Sequence, residues 1–136
     1  LKKMGLDLGV TNQNLHFLGG ISDARIAFQQ ADVYLLTSDR EGMPNAVLEA
    51  MACGLPIIST NVGDVSSYIT NGVNGFLVES PNEEQKIADT LEKLSSNRLL
   101  SKEMGGINRK IIEEKASLKT LSRLLSELYL PYESTK

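Results

Sequence analysis

The sequence contains one cysteine, one histidine and no hydrophobic run long enough to cross a membrane. Cys53 has no second cysteine with which to form an internal disulfide, and it lies in an apolar run. We therefore interpret it as small core filler in a cytoplasmic protein, where thiols stay reduced. The chain also lacks a signal-peptide pattern and begins at Leu1 rather than Met, so we expect that an N-terminal segment is missing.

Positive charge is not in excess, because 14 Lys and Arg face 17 Asp and Glu for a formal net charge of -3. No stretch concentrates Lys and Arg on one predicted face, so we exclude nucleic acid as a partner and leave contact with a membrane surface open. The length of 136 residues and the 41% hydrophobic content are typical of one soluble domain. We place a partial domain in residues 1–130 and a tail in residues 131–136.

Short apolar runs alternate with amphipathic segments along the chain. Strands are predicted at residues 15–18, 33–36, 55–59 and 76–78, and helices at residues 23–30 and 44–53, with a helical turn at 65–69. A capping box at residues 80–83 predicts a long helix, and two more follow through residues 99–111, interrupted by Gly105 and Gly106, and 118–128. Parallel strands need crossovers, which helices supply, so the fold class is α/β with a Rossmann-like doubly wound parallel sheet.

Ligands of such sheets bind beyond the carboxyl ends of the strands, which directs attention to the loop after the second strand. Residues 38–45 of that loop read SDREGMPN and lead directly into the helix of residues 44–53. The first free N–H groups of this helix would belong to Asn45, Ala46 and Val47. With the positive end of the helix dipole, these donors predict an anion site.

Glu49 is the only charged residue of that helix, in which seven of ten residues are Ala, Val, Leu, Met or Cys. We expect the helix to be largely buried, so its carboxylate needs hydrogen-bond donors. A ribose has two adjacent hydroxyls that can both donate to one carboxylate. Glu49 lies about 7.5 Å along the helix axis from Pro44, which matches the offset between a phosphate bound at the helix start and its ribose. Glu41 would face the group beyond the phosphates. The alternative stays open that Glu49 bonds a neighbouring amide or hydroxyl and that Glu41 is a solvated loop residue.

Residues 41–58 read EGMPNAVLEAMACGLPII, which closely resembles the signature of family 4 retaining glycosyltransferases, two glutamates separated by seven residues (EX7E). The resemblance continues through FLG at 17–19, ADV at 31–33, Ser38, NVG at 61–63 and NGFLV at 74–78. It covers the chain to about Ala88. It implies a GT-B architecture, in which two Rossmann-like domains face each other across a cleft, and makes this chain part of the C-terminal, donor-binding domain.

The resemblance also implies a role for each matching residue. Glu41 is the catalytic residue that contacts the transferred hexose near the reacting carbon, and Glu49 holds the ribose of a sugar linked to UDP, GDP or ADP. Transfer retains the anomeric configuration, with the leaving phosphate helping to take the acceptor proton, and no metal or cofactor is expected. His16 lies in a predicted strand and is interpreted as a packed residue. The remaining donor-binding residues are Gly42, Met43, Asn45 and Ala46 for the diphosphate, and Gly19, Gly20 and Ile21 for the base.

Two features depart from the family pattern. The chain has Gly63-Asp64 and Ser67 where the family commonly has Gly-Gly followed by a glutamate. The chain also starts inside the helix before the family's third strand. We therefore expect three parts to be missing: two strands, an Arg and a Lys that neutralise the diphosphate, and the N-terminal domain that binds a saccharide or lipid-linked acceptor. The sheet must then leave a gap, pair its third and fourth strands directly, or borrow strands from another copy.

Two other readings compete with the transferase. A non-catalytic module that binds a nucleotide sugar or another protein shares all the motifs above and would differ in what precedes Leu1. A reductase or epimerase piece would carry a Gly-x-Gly-x-x-Gly loop after a strand, and this sequence has none. For the 136 residues alone we expect no transferase activity and at best weak donor binding.

Overall fold

A three-stranded parallel sheet with helices on both faces forms the domain. The computed structural model describes residues 14–133, apart from the side chains of residues 121 and 128–133. The strands lie side by side in the order β1-β2-β3, and Ile57 pairs with Tyr34 on one side and Gly75 on the other. The predicted α/β fold is therefore confirmed. Its elements are α1 (Arg25–Gln30), β1 (Tyr34–Leu36), α2 (Asn45–Ala52), β2 (Ile57–Thr60), a 3-10 turn (Val65–Ser67), β3 (Gly75–Val78), α3 (Glu84–Ser96), α4 (Arg98–Lys115) and α5 (Leu118–Glu133).

The central strand β2 is buried on both faces, as its unbroken apolar run at the start predicts. Ile57 belongs to a core cluster with Val47 and Met51 of α2. Its neighbour Ile58 points to the other face, where it packs with Leu94 of α3 and Met104 of α4. Helices on both faces thus hold β2, and through it the loops that follow β1 and β2, in fixed positions.

The strand predicted at residues 15–18 is wrong. These residues form no strand, and all four are exposed, with 64% of Leu18 accessible. A strand exists only with a hydrogen-bonded neighbour, and in a doubly wound sheet the third strand is separated from the fourth by two others. Direct pairing of residues 15–18 with β1 is therefore not observed, and within residues 14–133 β1 pairs with β2 alone.

The prediction that Gly105 and Gly106 interrupt a helix is also wrong, because α4 runs unbroken from Arg98 to Lys115. A β-carbon on Gly105 would overlap the carbonyl oxygen of Gly54, the residue that follows the end of α2. Gly105 is therefore needed for the close approach of the α2 end to α4. Gly54 itself has φ of 78°, which confirms it as the predicted stop of α2.

Two buried asparagines join α4 to the start of β3. The Asn74 amide donates to Asn108 Oδ1 at 2.7 Å, and the Asn108 amide donates to the carbonyls of Leu55 and Asn74 at 2.7 and 2.8 Å. Both side chains are fully buried and satisfied, so the pair fixes α4 against the loops that enter β2 and β3. Asn74 begins the NGFLV motif at residues 74–78, whereas Asn108 belongs to none of the motifs named above.

The ends of the long helices differ in part from the sequence predictions. The backbone N–H of Ser80 donates to Glu83 Oε1 at 3.1 Å, which is one half of the expected capping box. Ser80 Oγ, however, accepts from the N–H of Asn82 rather than that of Glu83. At the other end of the chain, residues 131–133 of the expected tail belong to α5, and residues 134–136 lie outside the described part.

Candidate functional site

A mostly exposed loop of residues 37–44, the Glu41 loop, follows β1. Ser38 Oγ donates a hydrogen bond of 2.8 Å to Glu41 Oε1. Thr60 Oγ1, at the buried end of β2, donates one of 2.7 Å to the carbonyl oxygen of Ser38. The loop is therefore fastened at the carboxyl ends of two neighbouring parallel strands, which is where ligands of this fold class bind.

A second loop, residues 61–64, lies against the first. The N–H of Asp64 donates to the carbonyl oxygen of Gly42 at 3.1 Å. Gly63 has φ of 51°, and a β-carbon there would overlap the Gly42 oxygen and lie 2.6 Å from the carbonyl oxygen of Glu41. Glycine is required at this contact on both counts. Asp64, a departure from the family pattern, contributes here through its backbone N–H, which a glycine would supply equally.

Helix α2 begins just after the Glu41 loop and presents its N-terminus at the same edge of the sheet. Pro44 precedes the helix with an extended backbone, ψ 109°, and helical residues start at Asn45. The N–H of Val47 donates to the Pro44 carbonyl at 2.9 Å, so the prediction that Val47 offers a free donor is wrong. The amides of Asn45 and Ala46 precede this first internal bond and remain available to an anion, as helix geometry requires.

Glu49 is exposed, which corrects the expectation of a desolvated carboxylate. Only one side of α2 is buried, through Val47 and Met51 among others, while Asn45 and Glu49 share the side that faces solvent. They lie four residues apart, so they stand one above the other on that face. The alternative in which Glu49 bonds a neighbouring amide or hydroxyl is not observed among residues 14–133. Its carboxylate is open to a ligand from outside.

Both glutamates influence the pKa of the Tyr34 phenol, on β1. Partial burial raises the pKa of the Tyr34 phenol above its usual range, and the negative charges of Glu41 and Glu49 raise this pKa further. The ring of Tyr34 packs edge-on against Phe28 of α1 with centroids 5.8 Å apart. The loop carboxylate and the helix carboxylate are thus both within electrostatic reach of Tyr34, a residue that no sequence motif selected.

Two of the three residues predicted to meet the base line a groove beside α1. Gly19, Gly20 and Ile21 are exposed and outside helices and strands, with Gly19 at φ of 69°. Gly20 and Ile21 line a groove with residues of α1, and neither the Glu41 loop nor α2 contributes to that groove. The structure thus places Glu41, Gly42, Met43, Asn45, Ala46 and Glu49 along one stretch of chain, while Gly20 and Ile21 line a groove of their own with α1.

Two single residues were expected in the interior. His16 is exposed and not in a strand, so the interpretation of it as a packed strand residue is wrong. Cys53 is partly buried at the end of α2, where its N–H donates to the Glu49 carbonyl at 3.0 Å.

Sequence reasoning missed Thr60 and Gly63 as contacts of the Glu41 loop. Gly63 belongs to the NVG motif and follows a buried strand shortly after its end, whereas no signal selected Thr60.

Comparison with known proteins decides the family. A family model described as Glycosyl transferases group 1 matches residues 1–111. The chain belongs to this family. It is similar to the capsular polysaccharide biosynthesis glycosyltransferase CapM of Staphylococcus aureus, with 31% identity over 118 residues that cover 87% of this chain and 31% of CapM. The chain spans about a third of the length of the curated relatives that it matches.

Solved structures confirm the GT-B fold. HepE of Anabaena in complex with UDP superposes with a TM-score of 0.87 at 23% identity, covering 96% of this chain and 35% of HepE. A variant of TarM from S. aureus, in a complex that includes UDP, gives a TM-score of 0.82 at 28% identity, covering 95% of this chain and 26% of TarM. Within residues 14–133, no helix is both long and apolar enough to span a membrane.

Proposed function

We propose that this chain is the donor-binding part of a retaining glycosyltransferase that transfers a hexose from a sugar linked to UDP, GDP or ADP. The observation that carries the proposal is the meeting of the Glu41 loop and the α2 N-terminus at the carboxyl ends of β1 and β2. The TarM variant, 28% identical to this chain, is described as bound to UDP, which supports a nucleotide donor.

The diphosphate binds at the start of α2. The amides of Asn45 and Ala46 are free of intrahelical bonds, and those of Gly42 and Met43 precede them in the same loop. Several N–H donors together with the helix dipole favour a doubly charged group at this position. These donors belong to the backbone, and in a longer protein they would act together with the Arg and Lys that the family resemblance implies.

The ribose binds at Glu49, about 7.5 Å along α2 from Pro44. The carboxylate is exposed and accepts no hydrogen bond from residues 14–133, so both of its oxygens can accept from adjacent ribose hydroxyls. The base then extends away from α2. We keep Gly19, Gly20 and Ile21 as candidates for contacts with it.

Glu41 binds the hexose at the other end of the diphosphate. During transfer the bond between the anomeric carbon and the phosphate oxygen breaks, and a bond from that carbon to the acceptor oxygen forms on the same face of the sugar. The acceptor proton passes to the leaving phosphate, which gains the electron pair of the broken bond. A carboxylate fixed by Ser38 next to the sugar hydroxyls stabilises the positive charge that develops on the ring.

The acceptor, a saccharide or a lipid-linked sugar, would be held by an N-terminal domain of a longer cytoplasmic protein. In that protein, Glu41→Ala should lower kcat by about tenfold to a hundredfold, the range for one charged hydrogen bond, because the contact strengthens in the transition state. Glu92→Ala, an exposed glutamate of α3, is the control. An unchanged kcat for Glu41→Ala would reassign Glu41 to the solvated loop, and an inverted anomeric configuration of the product, measured by NMR, would refute retention.

A further inference from the structure

Thr60 is a buried hydroxyl next to the site that has no part in the proposed donor contacts. It ends β2, is fully inaccessible to solvent and pairs with Val78 of β3. Its carbonyl oxygen accepts from Ser59 Oγ at 2.7 Å and from the N–H of Val62 at 2.9 Å. The position of Thr60 is therefore set by the sheet and by the start of the next loop.

A relay of two hydrogen bonds links this residue to the Glu41 carboxylate. A threonine hydroxyl has one proton to donate, and that of Thr60 goes to the carbonyl of Ser38 at 2.7 Å. The single hydroxyl proton of Ser38 goes to Glu41 Oε1 at 2.8 Å. Ser38 thus connects the buried Thr60 to the exposed side chain of Glu41.

The backbone of Glu41 is held from the same direction. Asp64 donates its N–H to the Gly42 carbonyl, and Gly63 lies so close that no β-carbon fits between it and the carbonyls of Glu41 and Gly42. Both supports come from β2 and the loop after it, although the Glu41 loop itself follows β1. An exposed loop that is held twice from a neighbouring strand has little freedom to redirect its carboxylate.

We propose that Thr60 and Gly63 are positioning residues that direct the Glu41 carboxylate toward the transferred sugar. This inference rests on the proposed function, in which Glu41 contacts that sugar. Thr60 is fully buried and offers no group to the donor, and Gly63 acts in this proposal through its close contact with the carbonyls of Glu41 and Gly42. Their effect is on the sugar and not on the nucleotide, because the diphosphate and the ribose are held by the α2 amides and Glu49.

The test compares two affinities in each variant of the 136-residue chain. The probes are UDP-glucose, GDP-mannose and ADP-glucose, each measured against its own nucleoside diphosphate by NMR titration. Thr60→Val keeps the side-chain shape and removes the hydroxyl, and should reduce the sugar-dependent part of the affinity by about threefold to tenfold, the range for one uncharged hydrogen bond. Affinity for the nucleoside diphosphate alone should not change. Thr60→Ser, which restores the hydroxyl, should rescue the loss.

Thr90→Val is the matched control, because Thr90 Oγ1 also donates to a carbonyl at 2.7 Å, that of Lys86, within α3 and away from the site. For Gly63→Ala the matched control is Gly72→Ala. Both glycines have positive φ, but a β-carbon on Gly72 meets no atom within 4 Å. Only the Gly63 and Thr60 variants should shift the amide resonances of Glu41 and Gly42 in the absence of ligand.

The outcomes separate this inference from the function on which it rests. If Thr60→Val leaves the ligand-free resonances of Glu41 and Gly42 and the sugar-dependent affinity unchanged while Glu41→Gln reduces that affinity, the positioning role is refuted and the proposed function stands. If Glu41→Gln has no effect on sugar-dependent affinity either, the proposed function fails and takes this inference with it. Equal losses in Thr60→Val and Thr60→Ser would also refute the role of the hydroxyl.

Discussion

The two glutamates of the site are exposed, while the Glu41 loop is anchored to the buried Thr60 at the end of β2. Glu41 and Glu49 both face solvent, whereas Thr60 is fully enclosed. Replacing an exposed carboxylate leaves no cavity and no buried group without a partner, so it should change stability little. Substitutions at these two positions therefore report on binding and catalysis rather than on folding.

Glu49→Gln should weaken donor binding by about tenfold to a hundredfold in a longer protein that contains this chain, since a charged hydrogen-bond acceptor for the ribose is lost. Isothermal titration calorimetry measures the affinity, and Glu92→Gln on α3 controls for the loss of one exposed negative charge. Unchanged donor affinity in a variant that unfolds at the same urea concentration as the original protein would rule out the ribose assignment.

At the scale of elements, periodicity and turn residues predicted α2, β2 and β3 to within about two residues at most of their ends, because each has a strong local pattern. Helix α3 was also predicted, but it begins at Glu84 with Glu83 as its N-cap, later than a cap at Ser80 predicts. Residues 15–18 have an equally apolar pattern and form no strand, since a strand depends on a neighbour that local sequence does not contain. The same limit applies to the site. The Glu41 loop and α2 are contiguous and were predicted, whereas the contacts of Thr60 and Gly63 with that loop join residues about twenty apart.

Gly105 and Gly106 of α4 offer a paired test of helix packing. Gly105→Ala should destabilise the domain by more than about 1 kcal/mol, because its β-carbon overlaps the Gly54 carbonyl and the end of α2 must shift. Gly106→Ala adds a methyl group in open space and should stabilise the helix by about 0.5–1 kcal/mol. Urea unfolding measures both. Similar effects of the two substitutions would contradict the close contact of α4 with the α2 end.

At the scale of the whole molecule, the proposed donor site lies in a chain that is shorter than its relatives. It spans about a third of the length of its curated relatives, and β1 has a strand partner on one side only within residues 14–133. The proposed function assigns the acceptor to an N-terminal domain of a longer protein, and that domain would position the acceptor oxygen beside the anomeric carbon. We therefore expect the 136 residues alone to catalyse no transfer. Transfer of radiolabelled sugar above the no-protein control would contradict this expectation.

The most direct test of the donor site is an amide titration of the ¹⁵N-labelled chain with UDP-glucose, GDP-mannose and ADP-glucose up to about 10 mM, a range that detects weak binding. Hydrogen bonds from backbone N–H groups to the diphosphate should shift the resonances of Gly42, Met43, Asn45 and Ala46 more than any others for at least one donor. Inorganic phosphate should produce a smaller change at the same positions. If none of the three donors shifts these four amides, or if the largest shifts lie at the opposite end of the sheet near Asp32 and Arg98, the donor site is not where this account places it.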